Sequence, residues 1–514
     1  MTPSLTLICA LPTSLTFEIS NGTCFESPAP HEIFVNGQPV LTTPRNVFTL
    51  RGLKSGTEHR IEVRSGGKRL KTTAQTKALS VILKPEDFGA KGDGVTDDTA
   101  ALQAALSAAP PDAIVRLERS YLTGPLFLKS RMDLEVAKGA KLLGLRDIAK
   151  WPILPGLLYD EKGKETAWLG SWEGQPQGCH AALINILSAT NVSVFGEGLI
   201  DGQSGFDTWW AHPKTPQAGS WRPRLIFAVD SDNLTFEGFT LANSPSWNLH
   251  PLHCRKVTAA CLNITAPANS PNTDGFDPES CEDVVGAGIH FTVGDDCIAI
   301  KSGKIEMARK DLRPTTSVRI SNCWMQDGHG GVTLGSEMAA GVYGVVVRDC
   351  RFTGTDRGVR VKTRRGRGKD AIVKGAWFDN IDMDGVGTAF VINSFYWADA
   401  DGKTDYVGSR LPQPVSDLTP WLGGFKLTNI RCLNVRNAVV YLLGLPEQPI
   451  DGIEIDGLYA RFDPDAKPEP PDMAASIPPE LHRGIYIVNA RHVRLRHIDI
   501  EGQAGDRIHL ENVS

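Results

Sequence analysis

The sequence predicts an all-β protein in which a small β-sandwich precedes a long solenoid of stacked coils. Two observations predict the solenoid. From residue 110 onward, short Val- and Ile-rich strands alternate with Gly, Asn and Asp, with almost no helical periodicity, and these strands recur at a nearly constant interval. The sandwich is predicted because residues 1–78 alternate short apolar runs with turn clusters. We therefore place one domain at 1–78 and the second at 79–514.

The overall composition excludes several classes of protein. The 514 residues are 41% apolar with a formal net charge of −5, so there is no general attraction to nucleic acid. No run of 18 apolar residues exists, which predicts no transmembrane helix and no membrane partner. The ten cysteines have neither Cys-x-x-Cys nor zinc-like spacing, so we expect no metal or redox role. Several lie in apolar strand-like segments and are interpreted as small buried side chains, with disulfides as the alternative. We expect a monomer.

Residues 49–59 of the N-terminal domain resemble the strand-and-corner segment of fibronectin type III domains, with His59 at the usual tyrosine position. Nothing in this domain is typical of catalysis, so we expect a packing or spacing role. Residues 1–19 lack a Lys or Arg before the apolar stretch and a small-residue cleavage site, and we predict a β-strand there rather than a signal peptide. On that basis we expect a cytoplasmic protein, with periplasmic or secreted location as the alternative.

The second domain opens with the phrase Phe-Gly-Ala-Lys-Gly-Asp-Gly-Val-Thr-Asp-Asp at 88–98, followed by an amphipathic pattern over 99–109. The pattern predicts a short helix capped by an aspartate, and the glycines and aspartates before it are typical of turns. The phrase resembles the opening of the pectate-lyase-like β-helix superfamily. That resemblance implies that the helix covers the first coil.

Equivalent strand positions can be assigned along the solenoid. They fall at Val257, Val284, Val318, Val345 and Ile372, at intervals of 27, 34, 27 and 27 residues, and the longer interval contains a polar insertion at 304–316. The pattern resumes at Phe425, Ile453 and Val493. Such a period predicts coils stacked about 4.8 Å apart, which bury a continuous core.

Four polar clusters fall one per coil and are expected to stack on one face. They are Asn-Thr-Asp at 272–274, Gly-Asp-Asp at 294–296, Gly-His-Gly at 328–330 and Arg-Val-Lys at 360–362. Adjacent strand residues point to opposite faces, so Asp295 and Asp296 share a cleft only at a turn or strand end, where Gly294 gives backbone freedom. Arg360 and Lys362 are two residues apart and share a face.

Carboxylates crowded in this way cannot all stay ionised, because like charges raise one pKa and leave another low. Glycoside hydrolysis needs that division, with a protonated acid for the leaving oxygen and a carboxylate for water. The nearby cations match a substrate that carries a carboxylate on every sugar. Taken alone, each cluster is as well explained by turns, backbone satisfaction or a solvated face, so the ordered set carries the inference.

The ordered motifs resemble glycoside hydrolase family 28, the polygalacturonases, over about residues 80–510, with Val361 in place of isoleucine. The resemblance implies a right-handed parallel β-helix that hydrolyses α-1,4 galacturonosidic bonds of pectin with inversion, without cofactor or metal. It implies that Asp295 is the general acid, that Asp274 and Asp296 activate water and that His329 supports the acid. Arg360 and Lys362 would hold the substrate carboxylate next to the scissile bond. Asn272 would orient Asp274.

Several alternatives share this fold. A pectate lyase would need a cationic base, often with calcium, and a non-catalytic carbohydrate-binding β-helix would have no use for all four clusters. Rhamnogalacturonan and xylogalacturonan hydrolysis stay open, because loops recognise substrate branches. The basic stretch 360–367 also suggests nucleic acid or phosphate binding, but it lacks interleaved aromatic residues for base stacking.

Long insertions predict cleavage from a chain end rather than an open, endo-acting cleft. The segment that begins at Trp151 and runs to residue 224 carries five further tryptophans that could close one end of the groove: Trp168, Trp172, Trp209, Trp210 and Trp221. The segment Asn-Ser-Phe-Tyr-Trp at 393–397 and the insertion up to residue 423 add to them. Together these insertions resemble the bacterial exo-acting branch of the family. The alternative is that the aromatic residues only pack the loops onto the solenoid.

Overall fold

The computed structural model describes residues 3–398 and 400–514. Met1 and Thr2 of the predicted N-terminal strand, and residue 399 of the predicted insertion, lie outside that part. The N-terminal domain consists of β1 (Ser4–Ala10), β2 (Ser14–Ser20), β3 (Glu26–Val35), β4 (Gln38–Arg45), β5 (Val47–Arg51), β6 (Glu58–Ser65) and β7 (Lys68–Gln75). Two antiparallel sheets, in the orders β1-β2-β5 and β4-β3-β6-β7, enclose one apolar core. The predicted strand over 1–19 is two strands of a hairpin.

The N-terminal domain is docked on the solenoid through buried ion pairs. The fully buried Glu237 accepts hydrogen bonds from Arg51 (2.7 Å) and Thr49 (2.6 Å). Glu18 accepts from Asn322 (2.8 Å) and Arg348 (2.9 Å). Buried charges must be paired, so these contacts fix the position of the sandwich.

The second domain begins with a cap: β8 (Ile82–Leu83), a 3-10 helix (Pro85–Phe88), β9 (Asp93–Asp97) and α1 (Thr99–Ala108). Leu102, Ala105 and Leu106 of α1 enter the apolar core, so the helix covers the first coil as predicted. The predicted aspartate cap is provided by Asp97, whose Oδ1 accepts from the Thr99 N–H at 3.2 Å, and not by the N-cap residue itself. The side chain of Asp98, at the helix N-cap, makes no capping hydrogen bond and instead accepts from the backbone N–H groups of Lys91 (2.7 Å) and Gly92 (2.9 Å).

The coils that follow are built from short strands and one long insertion. The first coils contain β10 (Ala113–Leu117), β11 (Ser120–Thr123), β12 (Leu126–Leu128), β13 (Met132–Val136) and β14 (Lys141–Gly144). The insertion contains a 3-10 turn (Ile148–Lys150), β15 (Ile153–Leu154), β16 (Leu157–Tyr159), β17 (Glu165–Trp168), β18 (Ser171–Trp172), β19 (Gln175–Pro176) and β20 (Cys179–His180). Its strands form three two-stranded antiparallel sheets, which are separate from the parallel sheets of the solenoid.

The middle coils contain β21 (Ile184–Leu187), β22 (Thr190–Gly196), β23 (Leu199–Asp201), β24 (Ile226–Val229), β25 (Asp232–Glu237), β26 (Thr240–Ala242), β27 (Leu249–Leu252), β28 (Arg255–Ala260), β29 (Asn263–Thr265), β30 (Glu282–Ala287), β31 (His290–Thr292), β32 (Ile298–Ile300), α2 (Ile305–Lys310), β33 (Thr315–Ser321), β34 (Trp324–Gln326) and β35 (Val332–Leu334). The helix α2 lies in the polar insertion predicted at 304–316.

The last coils contain β36 (Val342–Thr353), β37 (Arg357–Lys362), β38 (Ile372–Asp384), β39 (Thr388–Asn393), a 3-10 turn (Ala400–Lys403), α3 (Asp405–Gly408), β40 (Trp421–Val435), β41 (Ala438–Leu443), β42 (Ile450–Phe462), β43 (Arg483–Glu501) and β44 (Ile508–Val513). Successive coils pair in parallel, which gives a right-handed parallel β-helix with three faces. The third face begins with β12, β21, β24 and β27. Isolated β-bridges at Phe276 connect β27 to β32, and the face then continues through β35, β37, β39, β41, β43 and β44.

The predicted repeat is confirmed except at one coil. The register aligns Val257, Val284, Val318 and Val345, and later Phe425, Ile453 and Val493. Ile372 is wrong, because Val345 pairs with Ala376, which pairs with Phe425. The loop between β37 and β38 lengthens this coil by four residues. The long alternating strand β38 offers several apolar positions, so the sequence pattern could not show the shift.

One apolar core extends along the coils and includes most of the cysteines. All ten cysteines are free; eight are buried, and Cys24 and Cys261 are partly buried. Burial raises the pKa of Cys432 to about 12, which keeps that thiol protonated and unreactive. Within residues 3–398 and 400–514, no helix has the length and apolar character needed to span a bilayer.

Candidate active site

The four predicted clusters meet in one cleft of about 900 Å³ at the start of the third face. All seven predicted site residues line it: Asn272, Asp274, Asp295, Asp296, His329, Arg360 and Lys362. The aspartates and His329 lie in the turns that lead into the third face, whereas Arg360 and Lys362 lie within β37. Segments 22 to 34 residues apart in the chain are therefore brought together by stacking.

The stacking register is less uniform than the sequence predicted. His329 lies directly on the next coil from Asp295, whose backbone oxygen accepts from the His329 N–H at 3.1 Å. Arg360 pairs with Thr333, four residues further along the coil than His329. Its long side chain then reaches back toward Asp296, with Nη1 3.5 Å from Oδ1. The cations therefore approach the carboxylates from the side of the later coil.

Gly294 allows the Asp-Asp turn through lack of a side chain rather than through an unusual backbone angle. A Cβ at this position would lie 2.3 Å from the Ser270 carbonyl oxygen, well inside van der Waals contact. The chain can thus run close to residue 270 just before Asp295. The turn is also held by the Asp296 N–H, which donates to Asp295 Oδ1 at 3.0 Å.

The three aspartates form a compact trio in which one oxygen from each lies within 4.8 Å of the others. Burial, and then the Asp295 and Asp296 charges, raise the pKa of Asp274 to about 7. Burial also favours the neutral form of Asp295, but His329, Lys362 and Lys301 outweigh it and hold the pKa of Asp295 below its ordinary value. The trio therefore contains one raised and one lowered carboxyl, as crowding predicts, but the raised pKa belongs to the predicted base Asp274 and the lowered pKa to the predicted acid Asp295.

The Asp295–His329 pair holds a proton next to the trio. Nδ1 of His329 lies 3.5 Å from Asp295 Oδ1, and about half of the histidine side chain is exposed (49%). The contact with Asp295 raises the pKa of His329 although burial opposes it. In the unliganded protein the shared proton therefore resides on the histidine, whereas the predicted acid role needs it on Asp295.

Asp296 is buried between two cations. Lys362 Nζ donates to Oδ2 at 2.7 Å, and Arg360 lies on the Oδ1 side. Burial opposes the charged form of Lys362, but Asp296 raises its pKa above the ordinary value. Both cations also line the cleft, so a substrate carboxylate that entered would share them with Asp296. The prediction that Arg360 and Lys362 present one cationic face agrees with this geometry.

The predicted link between Asn272 and Asp274 is not the one that the structure shows. Asn272 has a left-handed backbone (φ +56°), and its Oδ1 accepts from Arg222 Nη2 at 2.7 Å. Asp274 is held instead through its backbone oxygen, which accepts from the backbone and side-chain N–H groups of Asn248 at 2.8 and 3.0 Å. Asn272 thus shapes the cleft wall through Arg222.

Sequence reasoning missed several residues of the cleft, including Lys301, Glu337, Trp247 and Met473. The sequence did contain a signal for Lys301, because this charged residue directly follows the apolar run Cys-Ile-Ala-Ile, which itself begins immediately after the Asp-Asp turn. Asp472 binds Arg360 from a proline-rich loop, and no pattern in the sequence pointed to it. Tyr396 was included in the predicted 393–397 segment without a role; it lies beneath the Arg360 and Lys362 cations, 5.9 and 5.5 Å from its ring centre.

The aspartate trio is the group of side chains that could hold a cation, since three carboxylate oxygens converge there. Two ammonium groups already share these carboxylates. Lys362 Nζ is 2.7 Å from Asp296, and Lys301 Nζ is 3.5 Å from Asp274. The charge of these carboxylates is therefore compensated in part by the protein's own ammonium groups.

The insertion at 151–224 contributes residues to the wall of the cleft. The tip of the β18–β19 hairpin places Glu173 and Gln175 in the wall, and Lys214 binds Glu173 at 2.5 Å. The Gly174 carbonyl oxygen accepts from the Lys304 N–H at 2.8 Å, which ties the hairpin to the segment before α2. The polar tip, rather than the tryptophans, forms this wall.

The prediction that the tryptophans of the insertion form the wall of the cleft is wrong. Trp168, Trp172, Trp209 and Trp210 are buried. Trp209 packs in the main core, and Trp172 stacks on Trp221 with ring centres 4.8 Å apart. Large aromatic side chains gain most free energy by burial. They therefore pack the insertion onto the solenoid, which was the alternative interpretation.

The basic stretch 360–367 is buried rather than exposed. Arg364 and Arg365 are fully buried, and Arg367 is nearly so. Arg365 binds both oxygens of Glu447 (2.6 and 2.9 Å) and the carbonyl oxygen of Ser409 (2.8 Å). Arg365 thus anchors the insertion after β39, and the three buried arginines do not form a basic surface patch.

Comparison with known proteins identifies similar sequences and folds. The model for "Glycosyl hydrolases family 28" matches residues 129–458. A "Probable polygalacturonase" from Vitis vinifera is 32% identical over 400 residues, 75% of each chain, and an "Endo-polygalacturonase" from Pectobacterium parmentieri is 31% identical over 313 residues, 58% of this chain and 72% of that one. The solved structure of the Yersinia enterocolitica family 28 exopolygalacturonase has a TM-score of 0.73 at 19% identity and covers 100% of this chain and 99% of its own. At that identity the likeness concerns the fold.

Proposed function

Because the chain belongs to glycosyl hydrolase family 28, we propose that it hydrolyses the α-1,4 bonds of polygalacturonate or oligogalacturonates from the non-reducing end. The observation that carries this proposal is the aspartate trio facing Arg360 and Lys362 within one cleft. The trio supplies acid and base, and the cations suit a sugar carboxylate.

The substrate would lie along the solenoid axis. Arg360 and Lys362 would bind the carboxylate of the sugar on the leaving-group side, and the sugar that is attacked would lie toward Trp247 and Lys301. Water, held by Asp274 and Asp296, would form a bond to the anomeric carbon as the glycosidic bond breaks. Asp295 would give its proton to the leaving oxygen, and the water proton would pass to the aspartate base.

Substrate binding would also place the proton on the acid. The substrate carboxylates share Lys362 and Arg360, and the sugar excludes water from the partly exposed Asp295, whose side chain is 23% exposed when free. Both changes weaken the stabilisation of the Asp295 charge and raise its pKa. The proton that rests on His329 can then move across the 3.5 Å contact to Asp295.

The residues that the insertion adds to the cleft wall support the proposal of an exo mode. The hairpin tip at Glu173 and Gln175, together with Lys214 and Lys304, lines the cleft and would block the path beyond the attacked sugar. In the opposite direction the cleft continues past Tyr396, Trp397 and Met473. A chain bound in this way presents its non-reducing end to the wall, so each turnover releases a short product.

Incubation with polygalacturonate, followed by mass analysis, tests the reaction class. Hydrolysis gives saturated oligomers, a lyase gives products lighter by one water, and a binding protein gives none. An oligogalacturonide labelled at its reducing end tests direction. The proposal expects the label to stay on the longest fragment while mono- or digalacturonate accumulates; early label on short fragments contradicts it.

A further inference from the structure

A buried lysine beside the catalytic trio has no assigned role in bond cleavage. Lys301 follows β32, and its Nζ lies 3.5 Å from Asp274 Oδ2, 3.5 Å from Asp277 Oδ1 and 3.3 Å from Glu337 Oε2. It also sits 4.1 Å over the centre of the Trp247 ring. One ammonium group thus serves three buried carboxyls.

The lysine is held rigidly. Its backbone N–H donates to the Pro278 carbonyl oxygen at 2.9 Å, and its carbonyl oxygen accepts from the Ser280 N–H at 3.0 Å. Burial disfavours the charge, but Glu337, Asp274 and Asp277 outweigh it and raise the pKa of Lys301. The side chain is therefore a fixed positive charge beneath the cleft.

This contact fixes the direction of the Asp274 carboxylate. Oδ2 faces Lys301, whereas Oδ1 is buried and has no hydrogen-bond partner. Asp296 differs, because cations approach both of its oxygens. Because Oδ1 of Asp274 is enclosed by the protein, the contact of Lys301 with Oδ2 is the one that holds this carboxylate.

We propose that Lys301 is a positioning residue that favours the ionised form of Asp274 and holds its carboxylate through Oδ2, and that Glu337 moderates this effect by competing for the same ammonium group. The inference rests on the proposed function, in which Asp274 must be a carboxylate. Glu337 is a matched competitor, because its contact with Lys301 is as short as that of Asp274.

The electrostatic surroundings set the sign of the test. The ionisable groups that surround Asp274 and Lys301 are Asp277, Asp295, Asp296, Glu279, Glu337, Lys362, Arg222 and Arg224, with the neutral His250 behind them. Removing the Lys301 charge raises the pKa of Asp274 further, so the acid side of the pH–rate profile moves to higher pH. Removing the Glu337 charge lowers that pKa, so the acid side moves to lower pH.

The experiment measures kcat/KM on polygalacturonate against pH for the wild type, K301M and E337Q. We expect the midpoint of the acid limb of K301M to move to higher pH by about 1 to 3 units, which is the size of pKa shift that one close opposite charge causes. E337Q should shift the limb in the opposite direction. Lys310→Met, an exposed lysine, is the control and should leave the limb in place.

The inference would be overturned if K301M and E337Q lost activity by the same factor at every pH, with no movement of the acid limb in either variant. K301R keeps the charge and should restore the limb, which also guards against poor folding of K301M. If the wild type does not cleave polygalacturonate, the proposed function fails, and melting temperatures still test Lys301. Without the lysine, the carboxyls have raised pKa values in the folded state, so the deficit of K301M must grow from about pH 5 to 8. A deficit that is constant with pH contradicts the inference.

Discussion

Arg360 and Asp472 lie 112 residues apart in the chain and form a buried ion pair, with Nε 2.9 Å and Nη2 2.7 Å from the same carboxylate oxygen. The other oxygen of Asp472 accepts from Asn393 at 2.8 Å. Asp472 thereby turns the guanidinium so that Nη1 faces Asp296 and the cleft. The loop after β42 therefore completes a site that the third face begins.

The first prediction concerns this pair. Asp472→Asn keeps the shape but not the charge, so Arg360 should turn toward Asp296, which then competes with the substrate carboxylate for the guanidinium. We expect KM for polygalacturonate to rise about tenfold, or about 1.4 kcal/mol, with a smaller change in kcat. The matched control is Asp465→Asn, an exposed position in the same loop. An unchanged KM would show that Asp472 does not orient Arg360.

The second prediction concerns the catalytic aspartates. Asp295→Asn removes the transferable proton and should lower kcat by about 10²- to 10⁴-fold with substrate binding and folding retained. Asp274→Asn and Asp296→Asn should be similarly severe, and the losses in double variants should not add, because the water-activating pair acts as a unit. Asp283→Asn, at an exposed aspartate that pairs with Arg319, is the control. Near-normal turnover by any of the three variants would contradict its role.

The sequence predicted the catalytic and cationic side chains of the cleft better than the loop residues that hold them in place. Hydrophobic alternation and motif order were enough to bring the three aspartates, His329 and two cations together, because stacking converts a regular interval into contact. Ile372 was misplaced because four extra residues in a loop leave the alternation of β38 unchanged. Asp472 and the Glu173 tip could not be found, because loops fold back over the solenoid through contacts that have no period in the sequence.

The third prediction is a pH dependence of stability. The pKa of Asp274 rises from 3.8 to about 7 on folding, so its protonated form is favoured in the folded state. That contribution is complete below about pH 4 and is lost as pH rises through about 7. Asp274→Asn should therefore melt above the wild type at pH 8, by roughly 2 °C or more, with a smaller gain at pH 5. Calorimetry that finds the gain larger at pH 5 would contradict the burial argument.

The fourth prediction is inversion at the anomeric carbon. The trio has oxygens within 4.8 Å of one another, closer than the roughly 6.5 to 9.5 Å usual for the two carboxyls of inverting enzymes. A water can still bridge oxygens 4.8 Å apart with hydrogen bonds of about 2.8 Å. Proton NMR of the first product formed should show the β-anomer. An α-anomer at early times would mean that an aspartate attacks the sugar directly.

The last prediction tests the wall that is proposed to close the cleft. Gly174 has a left-handed backbone (φ +74°), and a Cβ there would lie 2.6 Å from Glu337 Cγ and 2.9 Å from the Lys304 nitrogen. Gly174→Val should therefore push the hairpin tip away from both residues and open the end of the groove. We expect longer products and a faster loss of polymer viscosity, because a chain could then extend past the attacked sugar. Gly163→Val is a matched control in the same insertion, with a similar backbone (φ +75°) and nothing within 4 Å. If both variants keep releasing one short product, the hairpin tip does not set the product length.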